Sequence, residues 1–394
     1  MALEMPPKQT LAQKLAIIDK ISATINDKVG RKLVGRIGKD PEIADKLKLK
    51  FIPSKCTDLN EAVGGGYPRA RCTIISGASD SGKTGRLLED IGYNMSLPGN
   101  EEFIAVWVES EKSLELNYVC ETFHIDPERF VFIEYDQNQG GEGILDILYG
   151  LMSAVQFDMV CINSLKCLVP TKIIEETMDS QTPALAARLN SRMVQKFLAL
   201  VANNDTAFVL ITHTYTSIGA YGAPQVVAGG NAIKYWSALS LSFNRRTVTD
   251  ADPITKEQGV HISVTVQKNH CLLTSFPYRK FDYYAIFGKG TDTIFPALQR
   301  FIDKGIMEYS AGGSWKVFDE NKEVLVSGRG KTKYYEYMKE NPDVFDSLLQ
   351  RLDTPVSTVQ EMTEEEVTAA KEEELEQRIA AQEVETETKS KKKK

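Results

Sequence analysis

One eight-residue stretch constrains this chain more than any other: Gly77-Ala78-Ser79-Asp80-Ser81-Gly82-Lys83-Thr84. It satisfies G-x-x-x-x-G-K-[ST] at every fixed position. The apolar run Cys72-Thr73-Ile74-Ile75 precedes it, and Arg86-Leu87-Leu88-Glu89-Asp90-Ile91-Gly92 follows with helical character. Strand, loop and helix in that order are what a phosphate cradle needs. Glycines let backbone N–H groups wrap an anion, and the helix N-terminus adds partial positive charge. Gly77, Ser79, Asp80, Ser81 and Gly82 would form the cradle. Lys83 would reach the β- and γ-phosphates, and the Thr84 hydroxyl would bind Mg²⁺. A nucleoside triphosphate site is predicted here.

With 394 residues, 42% of them apolar and 26% charged, the chain can bury one large α/β core with smaller appendages. No run of about 18 apolar residues occurs, so no membrane span is expected. Met1-Ala2-Leu3-Glu4-Met5-Pro6-Pro7-Lys8 has no apolar signal core, so export is not expected and a cytoplasmic protein is. Six scattered cysteines without a C-x-x-C pair read as free thiols rather than disulfides or zinc ligands. The net charge of −7 is uneven. Residues 361–388 hold eleven Glu against Lys371 and Arg378, and five lysines lie in the last six residues. The acidic balance therefore says little about whether the folded body binds nucleic acid.

Residues 8–48 read as helical, with Leu11, Leu15, Ile18, Ile21 and Ile25 forming a narrow apolar stripe. Such a stripe must pack on something, its own domain or a neighbouring subunit. Residues 49–288 read as the core. Strand candidates at 72–76, 103–108, 158–163 and 207–213 alternate with helical stretches, which indicates a parallel sheet covered on both faces. Residues 238–244 and 260–267 alternate apolar with polar, as half-buried strands at the sheet's later edge would. Residues 289–354 read as a small α+β domain: helical over 291–304, short strands at 306–310 and 314–318, and helical again over 331–352. Residues 355–394 are too charged and too poor in aromatic and β-branched residues to form a core, so a disordered tail is expected.

In this order the features resemble the RecA family of DNA strand-exchange recombinases, over roughly residues 50–352. Gly64-Gly65-Gly66-Tyr67-Pro68-Arg69-Ala70-Arg71 is similar to the family's lead-in to the P-loop, and Trp107-Val108-Glu109-Ser110-Glu111 to the strand ending in its catalytic glutamate. The segment 165–188, with Pro170 and Leu185-Ala186-Ala187-Arg188, resembles the first DNA-binding loop and following helix. Gly229-Gly230-Asn231-Ala232-Ile233-Lys234-Tyr235 resembles the close of the second loop, and Val266-Gln267-Lys268-Asn269-His270 the subunit interface. Gly312-Gly313-Ser314-Trp315 and Lys339-Glu340-Asn341-Pro342 resemble the bacterial C-terminal domain, while His213-Thr214 looks more like the phage UvsX branch.

The resemblance implies a P-loop ATPase core using ATP and Mg²⁺ and a helical filament on single-stranded DNA that engages duplex DNA. A ring-shaped helicase and a poorly hydrolysing ATP-binding scaffold stand as alternatives. It implies that Glu111 orients the attacking water, that His213 senses the γ-phosphate, and that Lys268 reaches the neighbouring subunit's ATP. His270 stands where bacterial members have a second such lysine. Glu115 and Tyr118 match adenine contacts; Pro183 and Ile218 match wedges between base triplets. Arg188 and the backbone of Gly229, Gly230 and Asn231 would bind DNA phosphates.

The main departure is Asn163, where the family has an Asp that holds the Mg²⁺-bound water. Asp158 cannot substitute, because five residues of strand at about 3.3 Å each place it about 16 Å away. Asn still accepts a hydrogen bond through its carbonyl but lacks the charge. Hydrolysis is then slow, or another carboxylate such as Glu109 compensates. The expectation is an active but metal-sensitive ATPase.

Overall fold

The computed structural model describes residues 9–176, 185–216, 225–227, 231–246, 251–252, 254–271 and 279–353. Two compact units divide between Pro296 and Ala297.

The first unit opens on helix α1 (Leu11–Val29), started by a capping box between Thr10 and Gln13. The helix does not continue to residue 48. Gly30 at φ +69° closes it in the left-handed region. The chain then doubles back along α1. Asn26 accepts the backbone N–H groups of Leu33 and Val34, and Asp19 pairs with Arg36 and Lys39 at 2.8 and 2.6 Å. Only a short α2 (Pro41–Asp45) follows. Leu11, Ile18 and Ile21 of the predicted stripe stay exposed.

Strands β1 (Phe51–Ile52) and β2 (Tyr67–Pro68) pair around α3 (Thr57–Val63), and lead into β3 (Arg71–Gly77) and α4 (Lys83–Ser96). Then come β4 (Ala105–Glu109), β5 (Phe130–Glu134), α5 (Gly140–Ala154), β6 (Met159–Asn163), α6 (Thr171–Glu175) and α7 (Leu185–Asn203). The unit is completed by β7 (Ala207–Thr216), β8 (Gln225–Val227), α8 (Asn231–Trp236), β9 (Leu239–Arg246), β10 (Gly259–Asn269), β11 (Lys280–Ile286) and β12 (Gly290–Thr291). Among the described residues these form a ten-stranded sheet in the order β12-β11-β10-β9-β3-β7-β6-β4-β5, with β8 paired to β7. From β9 to β5 the neighbours are parallel, and from β9 to β12 antiparallel. The predicted mainly parallel α/β core is thus present. Strands β5 and β11 lay outside the sequence expectation.

Both faces of the parallel part are buried, so its strands read as continuous apolar runs. Ile75 and Trp107 point to the face covered by Leu87, Leu88 and Ile91 of α4. Ile74, Val106 and Val108 point to the other, under Ile144 and Leu148 of α5 and Phe197 and Val201 of α7. The carboxyl ends of β3, β4, β6, β7 and β9 consequently share one edge.

Beyond β12, Asp292 accepts the Ile294 backbone N–H at 3.1 Å where α9 (Ile294–Asp303) begins. Burial pushes its carboxyl from the ordinary 3.8 up to about 6, with the Asp252 charge adding to the rise and the backbone hydrogen bonds opposing it. A raised carboxyl binds its proton more tightly in the folded chain. Its contribution to stability is therefore complete at low pH and is lost as pH rises through about 6. Asp292→Asn keeps an oxygen acceptor without the charge. It is expected to raise the unfolding midpoint at pH 8 by a few degrees, the gain shrinking as pH is lowered through 6. A gain that did not change with pH would contradict this assignment.

The second unit carries an antiparallel sheet of β13 (Met307–Tyr309), β14 (Ser314–Phe318) and β15 (Val324–Arg329), followed by α10 (Lys331–Glu340) and α11 (Pro342–Asp353). The stretch expected to be helical over 331–352 is helical and is divided at Asn341, because Pro342 removes a backbone donor and disfavours helical geometry at the residue before it. Trp315 meets Tyr334 edge-on at 5.9 Å, Phe301 meets Phe345 at 6.1 Å, and Arg351 donates to the Phe318 carbonyl.

Candidate functional site

The loop between β3 and α4 is shaped by close neighbours. A Cβ at Gly77 would lie 2.5 Å from the Phe243 carbonyl oxygen and 2.6 Å from Ser81 Oγ, so no larger residue fits. Gly82 takes φ +86° at the start of α4. Lys83 Nζ donates to the carbonyls of Gly77 and Ala78 and to Ser81 Oγ at 3.2, 2.6 and 3.2 Å. Burial lowers its pKa, an effect partly offset by the charges of Glu111 and Asp80.

The loop opens onto a cleft of about 440 Å³ at the carboxyl edge of the sheet, where open α/β folds bind ligands. It brings together Ser79, Asp80, Ser81, Gly82, Lys83, Thr84, Glu111, Tyr118, Asn163 and His213 of the predicted set. Glu111 follows the end of β4, and its Oε1 lies 2.7 Å from His213 Nε2 on β7. Burial works against the Glu111 charge. Hydrogen bonds from Ser164 and His213, with the His213 and Lys83 charges, outweigh it and hold the carboxyl below the ordinary glutamate value. Glu111 is therefore an ionised acceptor throughout the neutral range.

Across the cleft floor, Thr84 Oγ1 is 3.5 Å from Asn163 Oδ1. Among the described residues no group of three or more His, Cys, Asp or Glu is placed to cage a metal ion. A hydroxyl and an amide carbonyl at a phosphate loop fit Mg²⁺, which keeps most of its waters and takes its other ligands from substrate phosphates. When bound there, the ion would neutralise charge on the β- and γ-oxygens. Asp158 lies at the far end of β6, where it binds Arg69 at 2.7 Å and the Ile104 N–H.

Other predicted residues lie elsewhere. Glu115 is not part of the cleft lining, and its carboxylate accepts the N–H groups of Asn117 and Tyr118. Lys268 donates to the carbonyls of Lys234 and Tyr235 at 2.7 and 3.4 Å, and burial lowers its pKa. The His270 N–H donates to Ala238, whose own N–H donates to Cys72 at the start of β3. Lys268 and His270 thus sit toward the amino edge of β3, while the phosphate loop is at its carboxyl edge. Five residues of strand separate Cys72 from Gly77, about 16 Å. Arg188 lines a second cavity of about 560 Å³ together with Lys172, Arg192 and Gln195. Asn231 begins α8, while Pro183, Ile218, Gly229, Gly230 and the tail after residue 353 lie outside the described residues.

The cleft also contains residues that sequence reading missed: Arg245 at the end of β9, Tyr283 of β11, and Phe287 just beyond it. Phe287 is 59% exposed and Tyr118 49%, which leaves two aromatic faces available to a planar base. The signal for Arg245 was present. Arg245-Arg246 closes an apolar-alternating run, and a strand parallel to β3 must end beside the loop.

The family model described as the RecA N-terminal domain matches residues 16–292. Over 342 residues the chain is 29% identical to Protein RecA of Thermus aquaticus, covering 84% of this chain and 93% of that protein. It is 29% identical to Protein RecA of Arthrospira platensis over 88% of this chain and 89% of that one. Protein RecA 1 of Myxococcus xanthus is 28% identical over 86% and 93%. With the family model spanning most of its core, this chain belongs to the RecA family of recombinases.

Proposed function

We propose that the chain is a DNA-dependent ATPase that assembles as a helical filament on single-stranded DNA, pairs it with homologous duplex and exchanges strands. It would act in the cytoplasm of a bacterial or phage-infected cell. In this reading ATP and Mg²⁺ occupy the cleft. Lys83 and the loop N–H groups hold the phosphates, and Thr84 with Asn163 faces the metal. Glu111 accepts a hydrogen of the attacking water, and His213 donates to Glu111 and registers the γ-phosphate. The observation that carries the reading is the opposed placement of the two halves of the site. Lys268 and His270 sit toward the other edge of the sheet from their own phosphate loop, which supports a role for them toward an ATP on a neighbouring subunit. The exposed Leu11, Ile17, Ile18 and Ile21 of α1 support residues 1–48 as an oligomerisation segment. The cations Lys172, Arg188 and Arg192 support DNA phosphate binding at the head of α7.

Electron microscopy with ATP and single-stranded DNA, combined with phosphate release from the same sample, tests this. Extended filaments and release stimulated by single-stranded DNA are expected. Closed rings would favour a helicase, and filaments without phosphate release a scaffold.

A further inference from the structure

Asn163 raises a charge problem that its neighbour resolves. In the register of β4 and β6, Glu109 lies directly opposite Asn163. Both are about 1% exposed. Four N–H donors converge on the Glu109 carboxylate: Trp107 Nε1 and Asn163 Nδ2 each reach Oε2 at 2.9 Å, and the backbone N–H groups of Glu111 and Ser113 reach Oε1 at 2.8 and 3.4 Å, where the Ser113 hydroxyl also donates. An indole and a backbone amide can only donate, and a carboxylate can only accept. The donor end of the Asn163 amide is thereby bound to face Glu109. Its carbonyl oxygen is left facing Thr84 Oγ1.

Resting on the nucleotide-site reading above, we propose that Glu109 is the positioning residue that replaces the missing strand-end carboxylate. It supplies a negative charge one strand away, and it locks the Asn163 amide so that an oxygen, not an N–H group, faces the metal side of the cleft. Through the Glu111 N–H it also sets the turn that carries Glu111.

This inverts the simple expectation for Asn163→Asp. Such a change would not restore a site. It would place a second carboxylate within hydrogen-bond distance of Glu109 in a buried pocket, where like charges cannot both ionise. The exchange Glu109→Gln/Asn163→Asp keeps one carboxylate and one amide with the charge moved to the metal side.

The test compares wild type, both single variants and the double variant. One arm measures the thermal unfolding midpoint without nucleotide, metal or DNA. The other measures Mn²⁺ affinity by electron paramagnetic resonance with a non-hydrolysable ATP analogue. Each single variant is expected to lower the midpoint, and the double variant to recover most of the Asn163→Asp loss. Glu109→Gln should weaken Mn²⁺ binding roughly 10–100-fold, as loss of a supporting partner does, and the double variant should regain it. Additive losses in the double variant would overturn the proposal. So would an Asn163→Asp protein with an unchanged midpoint and undiminished Mn²⁺ binding. Because the unfolding arm needs neither nucleotide nor DNA, it fails independently of the recombinase reading.

Discussion

Replacing Glu111 by Gln is expected to lower ATP turnover by about 10²–10⁴-fold while ATP affinity stays within a few-fold of wild type. In the proposed reading affinity rests on the phosphate loop, on Lys83 and on the exposed rings of Tyr118 and Phe287, all of which the substitution leaves in place. The carboxamide preserves size and still accepts one hydrogen bond from His213, but it cannot take up a proton from water. Glu111 also lies past the end of β4 at a partly open edge, with its side chain 25% exposed. An unfolding midpoint close to wild type separates chemistry from misfolding. Phosphate release measured at saturating ATP and DNA decides the matter. Turnover within tenfold of wild type would remove Glu111 from the base role.

The second large effect is structural. Helix α4 carries Lys83 and Thr84 into the cleft, and one turn later it carries a buried ionic cluster. Arg86 is wholly buried and binds Asp90 through Nε and Nη2 at 3.0 and 2.5 Å, and Glu89 at 3.0 Å. It also donates to Thr291 and sits over the Tyr283 ring, 5.7 Å from its centre. Asp90 accepts further hydrogen bonds from Ser54, the Lys55 N–H and Tyr67, and Glu89 from both the N–H and the hydroxyl of Thr291. The cluster therefore ties the phosphate-loop helix to the segment before it and to the last strand of the sheet.

Arg86→Met would leave the buried Asp90 carboxylate without its cation, while Glu89 would keep only Lys55, 3.0 Å away. Breaking a buried pair in this way costs about 3–5 kcal/mol, which lowers the unfolding midpoint on the order of 10 °C in a unit of this size. Arg86→Lys retains charge but not the planar fork that engages Asp90 through two nitrogens, so an intermediate loss is expected. Calorimetry of the three proteins tests the account. A midpoint for Arg86→Met within about two degrees of wild type would show that water or a rearranged lysine satisfies the carboxylates.

The phosphate loop was legible because everything it needs lies within about twenty consecutive residues. An apolar strand, glycines at fixed spacing and a helix start are local features, and local sterics decide them. The parallel sheet was legible for a related reason. Strands buried on both faces must be continuous apolar runs, and those at 72–76, 158–163 and 207–213 match the observed β3, β6 and β7 closely. Edge strands escaped. Phe132 in β5 and much of β15 remain exposed, so their composition carries no burial signal. The long N-terminal helix was over-extended because a spacing pattern cannot foresee that Asn26 and Asp19 would capture the returning chain.

Sequence alone was enough to establish a phosphate-binding α/β core and the place of Glu111 beside it, since both follow from short-range pattern and strand polarity. It also exposed Asn163 as the departure. The meaning of that departure came from tertiary structure. Glu109 and Asn163 are 54 residues apart and meet only because β4 and β6 are neighbours in register. Arg86 and Thr291 are 205 apart and meet because β12 closes the antiparallel edge. Lys268 is turned away from its own cleft because β10 runs against β9 and carries its last residues to the opposite edge. Strand order and direction are cooperative properties of the whole sheet, so no window of residues encodes them. They place the uncharged Asn163 amide against the Glu109 carboxylate, and they set Lys268 at the opposite edge of the sheet from the phosphate loop.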